Sequence, residues 1–197
     1  MVLMLSHNLS PLAMQQLLTT AREAVIHAVN GNNVQLSDDF VRNAEPPLRE
    51  LGASFITLKK AEQLRGCIGS LEPHRTLIED VVHNAVASAL SDPRFQRVQP
   101  SELDSLELTV SVLTKPELFS VESEAELLTT LRPNIDGLIL QEGSHRATYL
   151  PSVWEQLPNS QVFVRELKRK AGLSDDYWSP TLQVWRYQTI TLSEKLL

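Results

Sequence analysis

The chain has 197 residues, 42% of them hydrophobic and 21% charged, and a formal net charge of −6 at pH 7. That length and apolar content can bury a core without metals or disulfides, while the acidic balance argues against a general nucleic-acid binder, which needs a basic footprint. A single cysteine excludes an intramolecular disulfide, no run approaches the ~18 apolar residues of a membrane span, and MVLMLSHNLSP has neither the basic region nor the cleavage site of a signal peptide. Together these features predict a soluble, cytoplasmic protein with no nucleic-acid or membrane partner.

Ser10 and Pro11 read as the N-cap and first residue of a helix. Its buried stripe is Leu17, Leu18, Ala21, Val25 and Ala28, and Gly31 ends it. Gln16, Thr20, Glu23 and His27 fall on the opposite face, which predicts a solvated His27. Glu45-Pro46-Pro47 is a loop. ASFITLK (53–59) and LRGCIGS (64–70) form a hairpin through Ala61-Glu62-Gln63. Thr76 with Glu79 makes a capping-box pattern. The helix behind it offers Leu77, Ile78, Val81, Val82, Ala85 and Ala89 to a sheet, until Asp92-Pro93 stops it.

LELTVSVL (106–113) alternates strictly, with Leu106, Leu108, Val110 and Val112 on one face, and is a half-buried strand. Ser123 with Glu126 caps a helix that ends before Pro133. GLILQEGSHRATYLP (137–151) is a second hairpin, turning at Glu142-Gly143-Ser144. A helix from Asn159 or Ser160 carries Phe163, Val164, Leu167 and Ala171, and Gly172 closes it. The basic triplet Lys168-Arg169-Lys170 near its end reads as a solvated face complementing the helix dipole. TLQVWRYQTITL (181–192) is the final strand.

The two hairpins resemble each other. Each is an apolar strand, a polar turn and a strand opening with arginine, so that Arg65 matches Arg146 and Cys67 matches Thr148. Antiparallel hairpins interspersed with helices indicate an α+β fold built from two related strand-and-helix repeats. The predicted domain spans 10–192, with a larger part around 53–113 and a smaller one around 134–180.

LRGCIGS holds the one cysteine. Regular alternation places Arg65, Cys67 and Gly69 on one face. Gly66 and Gly69 imply a bulge or a close backbone approach, with the thiol beside an open surface. A guanidinium two residues away favours thiolate over thiol, which suits a nucleophile or redox thiol at Cys67. The competing reading is a small buried residue that only packs. Glu79, Asp80 and His83 resemble half of a metal site, but HExxH is absent, and a surface salt-bridge face is the preferred reading. His74 lies just past the cysteine strand and His145 in the second hairpin turn, so either could approach Cys67 in space, and the sequence places neither. Phosphate loops, dinucleotide fingerprints and nucleophile elbows are missing, as is the tight cysteine spacing of an iron–sulfur site. No cofactor is expected.

LRGCIGSLEP, SDPRF, LTVSVLTKPEL, DGLIL, RATYLPSVWEQLP and LKRKAGL occur in this order, and together they resemble the AMMECR-type domain family. The similarity is greatest to its bacterial branch, the A proteins of the AmmeMemoRadiSam system, and runs from about Leu12 to Tyr187. It implies two related sub-domains around one mostly antiparallel, barrel-like sheet flanked by helices. It also implies that Arg65, Gly66, Cys67, Ile68 and Gly69 matter, then Asp92, Arg94 and Phe95, then Ser111, Gly137, Leu150 and Pro151. Asp136 stands where eukaryotic relatives tend to carry histidine, so a mechanism requiring that histidine is not shared. By association only, the resemblance implies a Memo-like protein and a radical S-adenosylmethionine protein as partners.

Two functions remain open on these residues. In the favoured one, the face around Cys67 is a small-molecule or partner pocket in which Arg65, Arg94 and Arg146 grip an anion. In the other, Cys67 is the nucleophile of an enzyme acting on a small anionic substrate. The closing TITLSEKLL is assigned no role.

Overall fold

The computed structural model describes residues 9–197. The reading of MVLMLSHN as no leader falls outside them. The chain forms two compact units, one running up to Leu113 and resumed by Ile190–Leu197, the other Thr114–Thr189.

Unit 1 begins with α1 (Pro11–Val29), where the Ser10 hydroxyl accepts from the Ala13 amide and proline occupies the first turn. Helix α2 (Asp38–Asn43) follows, capped by Ser37. A short strand β1 (Leu51–Gly52) leads into the hairpin of β2 (Ser54–Lys60) and β3 (Gln63–Gly69). Both turn residues, Ala61 and Glu62, have positive φ, which a two-residue hairpin turn of this hand demands. After β4 (Arg75–Thr76), the Thr76–Glu79 capping box starts α3 (Leu77–Leu90). Strand β5 (Leu106–Leu113) buries its alternate residues as its pattern predicts.

Unit 2 contains β6 (Glu117–Leu118), α4 (Glu124–Thr130), the hairpin β7 (Gly137–Glu142) and β8 (His145–Tyr149), α5 (Ser160–Lys170) and β9 (Gln183–Tyr187). Ser123 caps α4 and Asn159 caps α5. The last strand, β10 (Thr189–Lys195), returns to unit 1.

The class is α+β, with antiparallel sheets and flanking helices. Each unit has its own open four-stranded sheet, ordered β10-β5-β2-β3 in unit 1 and β6-β9-β7-β8 in unit 2. The repeat is visible in this order. A hairpin, a helix and a returning strand give β5-β2-β3 in one unit and β9-β7-β8 in the other. Unit 1 packs α1 and α3 on its sheet over an aliphatic core of Leu17, Ile56, Leu58, Val81, Leu108 and Val110. The core of unit 2 is partly aromatic, and Trp154 stacks on Phe163 with centroids 3.9 Å apart.

Four expectations need correction. Thr20 is buried, because α1 meets both α3 and β5 and hides more than one stripe. Lys168 is fully buried instead of solvated: its ammonium donates to Glu124 Oε2 at 2.7 Å and to the Asp175 carbonyl at 2.9 Å, so the charge leaves water paired. The final strand is two strands, β9 and β10, in different sheets. The tail also has a structural role, since β10 forms the outer strand beside β5 and Leu196 is buried in the core of unit 1.

Candidate functional site

In β3, Cys67 pairs with Thr57 of β2, and Gly66 pairs with Leu58. Leu58 is buried in the core. A Cβ on Gly66 would lie 2.2 Å from the Ser88 carbonyl oxygen of α3, so the helix sits directly on the bare strand there. Cys67 therefore belongs to the face away from α3. Phe55, Thr57, Thr109 and Ser111 share that face, because Phe55 pairs with Ser111 and Thr57 with Thr109. Thr57 donates its hydroxyl to the thiol at 3.3 Å. The row continues across β10 through Thr109–Ser193 at 2.8 Å and Ser111–Thr191 at 3.2 Å.

The glycines do not open the surface around the thiol. The Ser88 carbonyl fills the space over Gly66, and the Phe55 ring fills that over Gly69, 2.2 Å from where a Cβ would stand. An aromatic ring lying over a strand glycine in this way shields backbone that no side chain covers. Cys67 is half-buried.

β3 is the sheet's edge, and one ion pair completes it at Cys67. The Cys67 amide donates to Asp92 Oδ2 at 2.8 Å, and Arg94 Nη2 donates to the Cys67 carbonyl at 3.0 Å. Asp92 and Arg94 also bind each other, at 2.7 and 3.0 Å. Carboxylate and guanidinium thus stand in for the acceptor and donor of a missing neighbour strand. Pro93 ends the helical course and turns Arg94 back onto the strand. The guanidinium beside Asp92, with the Cys67 amide, holds its carboxyl well below the usual carboxylate range, against the opposing effect of burial.

Arg65 stands where the pairing shifts between Leu58 and Lys59, which interrupts the alternation that put it on the thiol's face. It grips Glu102 with two donors, at 3.1 and 2.9 Å, and donates to the carbonyls of Gln96 and Arg97. This pairing lowers the Glu102 carboxyl to about 2. Arg65, and Arg94 through Nε and Nη2, thus donate within the protein, tying segment 92–102 along the β3 edge.

The structure brings Gly66, Cys67, Gly69, Asp92, Arg94 and Ser111 together. Asp136 and Arg146 lie in unit 2, and not side by side. Asp136 precedes β7, fully buried, and pairs with Arg132 at 2.6 Å. Its carbonyl accepts from the Trp154 indole at 2.7 Å. Arg146 pairs with Gln141, four residues further along β7 than Gly137, or about 13 Å. His145 contacts the Ala171 carbonyl within unit 2. Thr148, the counterpart of Cys67, donates to the Leu138 carbonyl and meets the Tyr187 hydroxyl at 2.8 Å. Among the described residues, no group of three or more His, Cys, Asp or Glu is arranged to hold a metal.

Asp80 is the residue that the sequence reading misplaced most. It is fully buried and not part of a surface face. Its carboxylate accepts from the Ser54 amide (2.9 Å) and hydroxyl (2.7 Å), the Ser70 hydroxyl (2.6 Å) and Asn84 Nδ2 (2.9 Å). Asp80, Asn84 and Ser88 recur every four residues beside the apolar stripe of α3. That spacing was the available signal.

An antiparallel hairpin–helix–strand unit occurring twice, with its first copy carrying an ion-pair-braced cysteine strand, defines an internally duplicated α+β protein. The AMMECR1 family model matches residues 18–192, and the chain belongs to that family. A protein of Methanothermobacter thermautotrophicus is 38% identical over 175 residues, which cover 87% of this chain and 89% of the relative. One of Thermofilum pendens is 39% identical over 163 residues, 75% of each. Among solved structures, the crystal structure of uncharacterized protein PH0010 from Pyrococcus horikoshii matches with a TM-score of 0.78 at 30% identity, covering 95% of this chain and 94% of that one. These relatives are archaeal, whereas the motif reading pointed to the bacterial branch.

Proposed function

We propose that the chain is a binding component whose working surface is the hydroxyl-rich face of β2, β3 and β5 around Cys67. The observation that carries this reading is the double brace on Cys67. Asp92 and Arg94 fix both main-chain polar groups of that residue, and the side chain bonded to its sulfur is the Thr57 hydroxyl. A threonine hydroxyl is a donor and a weak acceptor, not a base. This surface is held still, as ligand recognition requires, and the sulfur's own partner does not generate a nucleophile.

The bacterial-type motif order supports a place as the A component of an AmmeMemoRadiSam system, acting in the cytoplasm beside a Memo-like protein and a radical S-adenosylmethionine protein. No helix among the described residues is long and apolar enough to cross a membrane. The test is calorimetric titration of the chain with each purified partner. Saturable binding to one of them, weakened by Thr109→Lys on the hydroxyl face, is the expected result. The reading fails if neither binds. Partial exposure of the thiol favours the second reading, a cysteine-dependent enzyme acting on a small anionic substrate. Turnover abolished by Cys67→Ala in a folded protein would establish it.

A further inference from the structure

The arginines that sequence singled out near Cys67 are engaged internally. A different arginine has donors to spare. Arg75 makes a single hydrogen bond among the described residues, from Nη1 to Asp80 Oδ1 at 3.3 Å, and its side chain is 36% exposed. Nε and Nη2 remain unspent there. Arg75 lines one end of a cleft of about 490 Å³ between α3 and residues 34–36, within the size range of small-molecule sites.

The cleft is elongated. Its α3 wall runs from Glu79 to Ser91 along one helical stripe, about 18 Å at 1.5 Å per residue. Along this course Val82, Val86 and Ala87, with Val34 and Leu36, form an apolar stripe, flanked by the polar side chains of Gln35 and His83 and ending at Ser91. The cationic group, Arg75, stands at the opposite end from Ser91. Glu79, the acidic group in the lining, accepts from the Thr76 amide and hydroxyl through one carboxylate oxygen. His83 Nδ1 lies 3.3 Å from Asn84 Oδ1. An apolar stripe with unspent guanidinium donors at one end complements a molecule with an apolar chain and one terminal carboxylate. The planar guanidinium matches that group better than it matches a hydroxyl.

We propose that this cleft binds a small linear carboxylic acid, its carboxylate on Arg75 and its chain along Val82, Val86 and Ala87. The site lies on the helix side of the sheet, away from the thiol, and is independent of the reading given for the Cys67 face.

The test uses the full chain, with decanoate and decanol as probes, followed by calorimetry and amide NMR shifts. Decanoate is expected to bind saturably and to shift the amides of Val82, Val86 and Ala87. Decanol, with the same chain and no charge, is expected to bind at least about tenfold more weakly. Arg75→Gln should reduce decanoate to the affinity of decanol. Because Arg75 also touches Asp80, Ala87→Phe serves as the second variant: it fills the trough without touching that network and should abolish binding of both probes in a protein with unchanged circular dichroism. The proposal is overturned by equal affinity for the two probes, by undiminished binding to Ala87→Phe, by shifts centred on Thr57 and Cys67, or by the absence of saturable decanoate binding to the wild type.

Discussion

The two hairpins solve one problem differently. In both units the second hairpin strand is an edge with unpaired main-chain groups. Unit 2 covers its edge at Thr148 with one lysine, Lys170 Nζ donating to the Thr148 carbonyl at 3.1 Å. Unit 1 covers the matching position, Cys67, on both the amide and the carbonyl, with an ion pair delivered by a proline turn. Where only protection from stray pairing is needed, one flexible cation suffices. A two-sided brace does more, because it fixes the position of the residue itself. The contrast extends inward. Leu58 faces Gly66 in unit 1, while Leu140 faces Ala147 in unit 2, so the helix can press on the first hairpin only where the methyl is missing.

The sharpest way to break this comparison is at the buried carboxylates. Asp80→Ala should cost about 3–5 kcal/mol, because it strands the Ser54, Ser70 and Asn84 donors and the charge of Arg75. Chemical denaturation followed by circular dichroism measures it. A loss under about 1 kcal/mol would mean that the network is dispensable.

Next come the paired hairpin positions. Gly66→Ala should destabilise by about 3 kcal/mol, since its methyl meets a helix carbonyl that cannot rotate away. Ala147→Gly should cost only about 1 kcal/mol, from backbone freedom and a lost methyl. Equal losses from these two substitutions would contradict the asymmetry of the hairpins.

Titration separates the units as well. Asp92 and Glu102, both in unit 1, are held low by Arg94 and Arg65. Their contribution is complete above the ordinary carboxylate values and is lost as pH falls from about 5 toward 2. Tyr187, in unit 2, is pushed up to about 12 by burial. Its contribution is complete below pH ~10 and is lost as pH rises from there toward 12. Glu102→Gln should flatten the acid limb of a stability profile and leave the alkaline limb, whereas Tyr187→Phe should do the reverse. All three tryptophans, Trp154, Trp178 and Trp185, lie in unit 2, so their fluorescence reports that unit.

The smallest effects concern the two edge covers. Arg94→Ala should cost about 1–2 kcal/mol, because a half-exposed guanidinium leaves Asp92 buried with one partner fewer. Lys170→Ala should cost less than about 1 kcal/mol. Hydrogen exchange should quicken at Cys67 in the first variant. Unchanged exchange there would remove the brace from the account of the site.

Local chemistry made much of this fold legible. Ser10-Pro11, Thr76 with Glu79, Ser123 and Asn159 mark helix starts by offering side-chain acceptors to free amides, and they do so in the structure. The alternation of 106–113 and both hairpins needed no tertiary information. Partner-dependent features were not legible. Lys168 and Asp80 look like surface residues by type, and only Glu124, Ser54 and Ser70, remote in sequence, show why they are buried. Arg65 stood two residues from Cys67, yet Glu102, 37 positions away, claims its guanidinium. Arg94 was read as lining the face around Cys67, but the grip of Asp92 and Arg94 on the Cys67 main chain was invisible, because sequence does not record which edge lacks a neighbour.

The return of the chain to unit 1 bears on biosynthesis. Residues up to Leu113 leave the ribosome first, yet their sheet gains its outer strand β10, and their core gains Leu196, only when residues 189–196 emerge. All of unit 2 is synthesised in that interval, its inner strand β9 ending at Tyr187, two residues before β10 begins. One closing stretch of chain thus completes both sheets. Until residues 189–196 emerge, β5 is a second exposed edge, with Leu106 and Val110 beneath it.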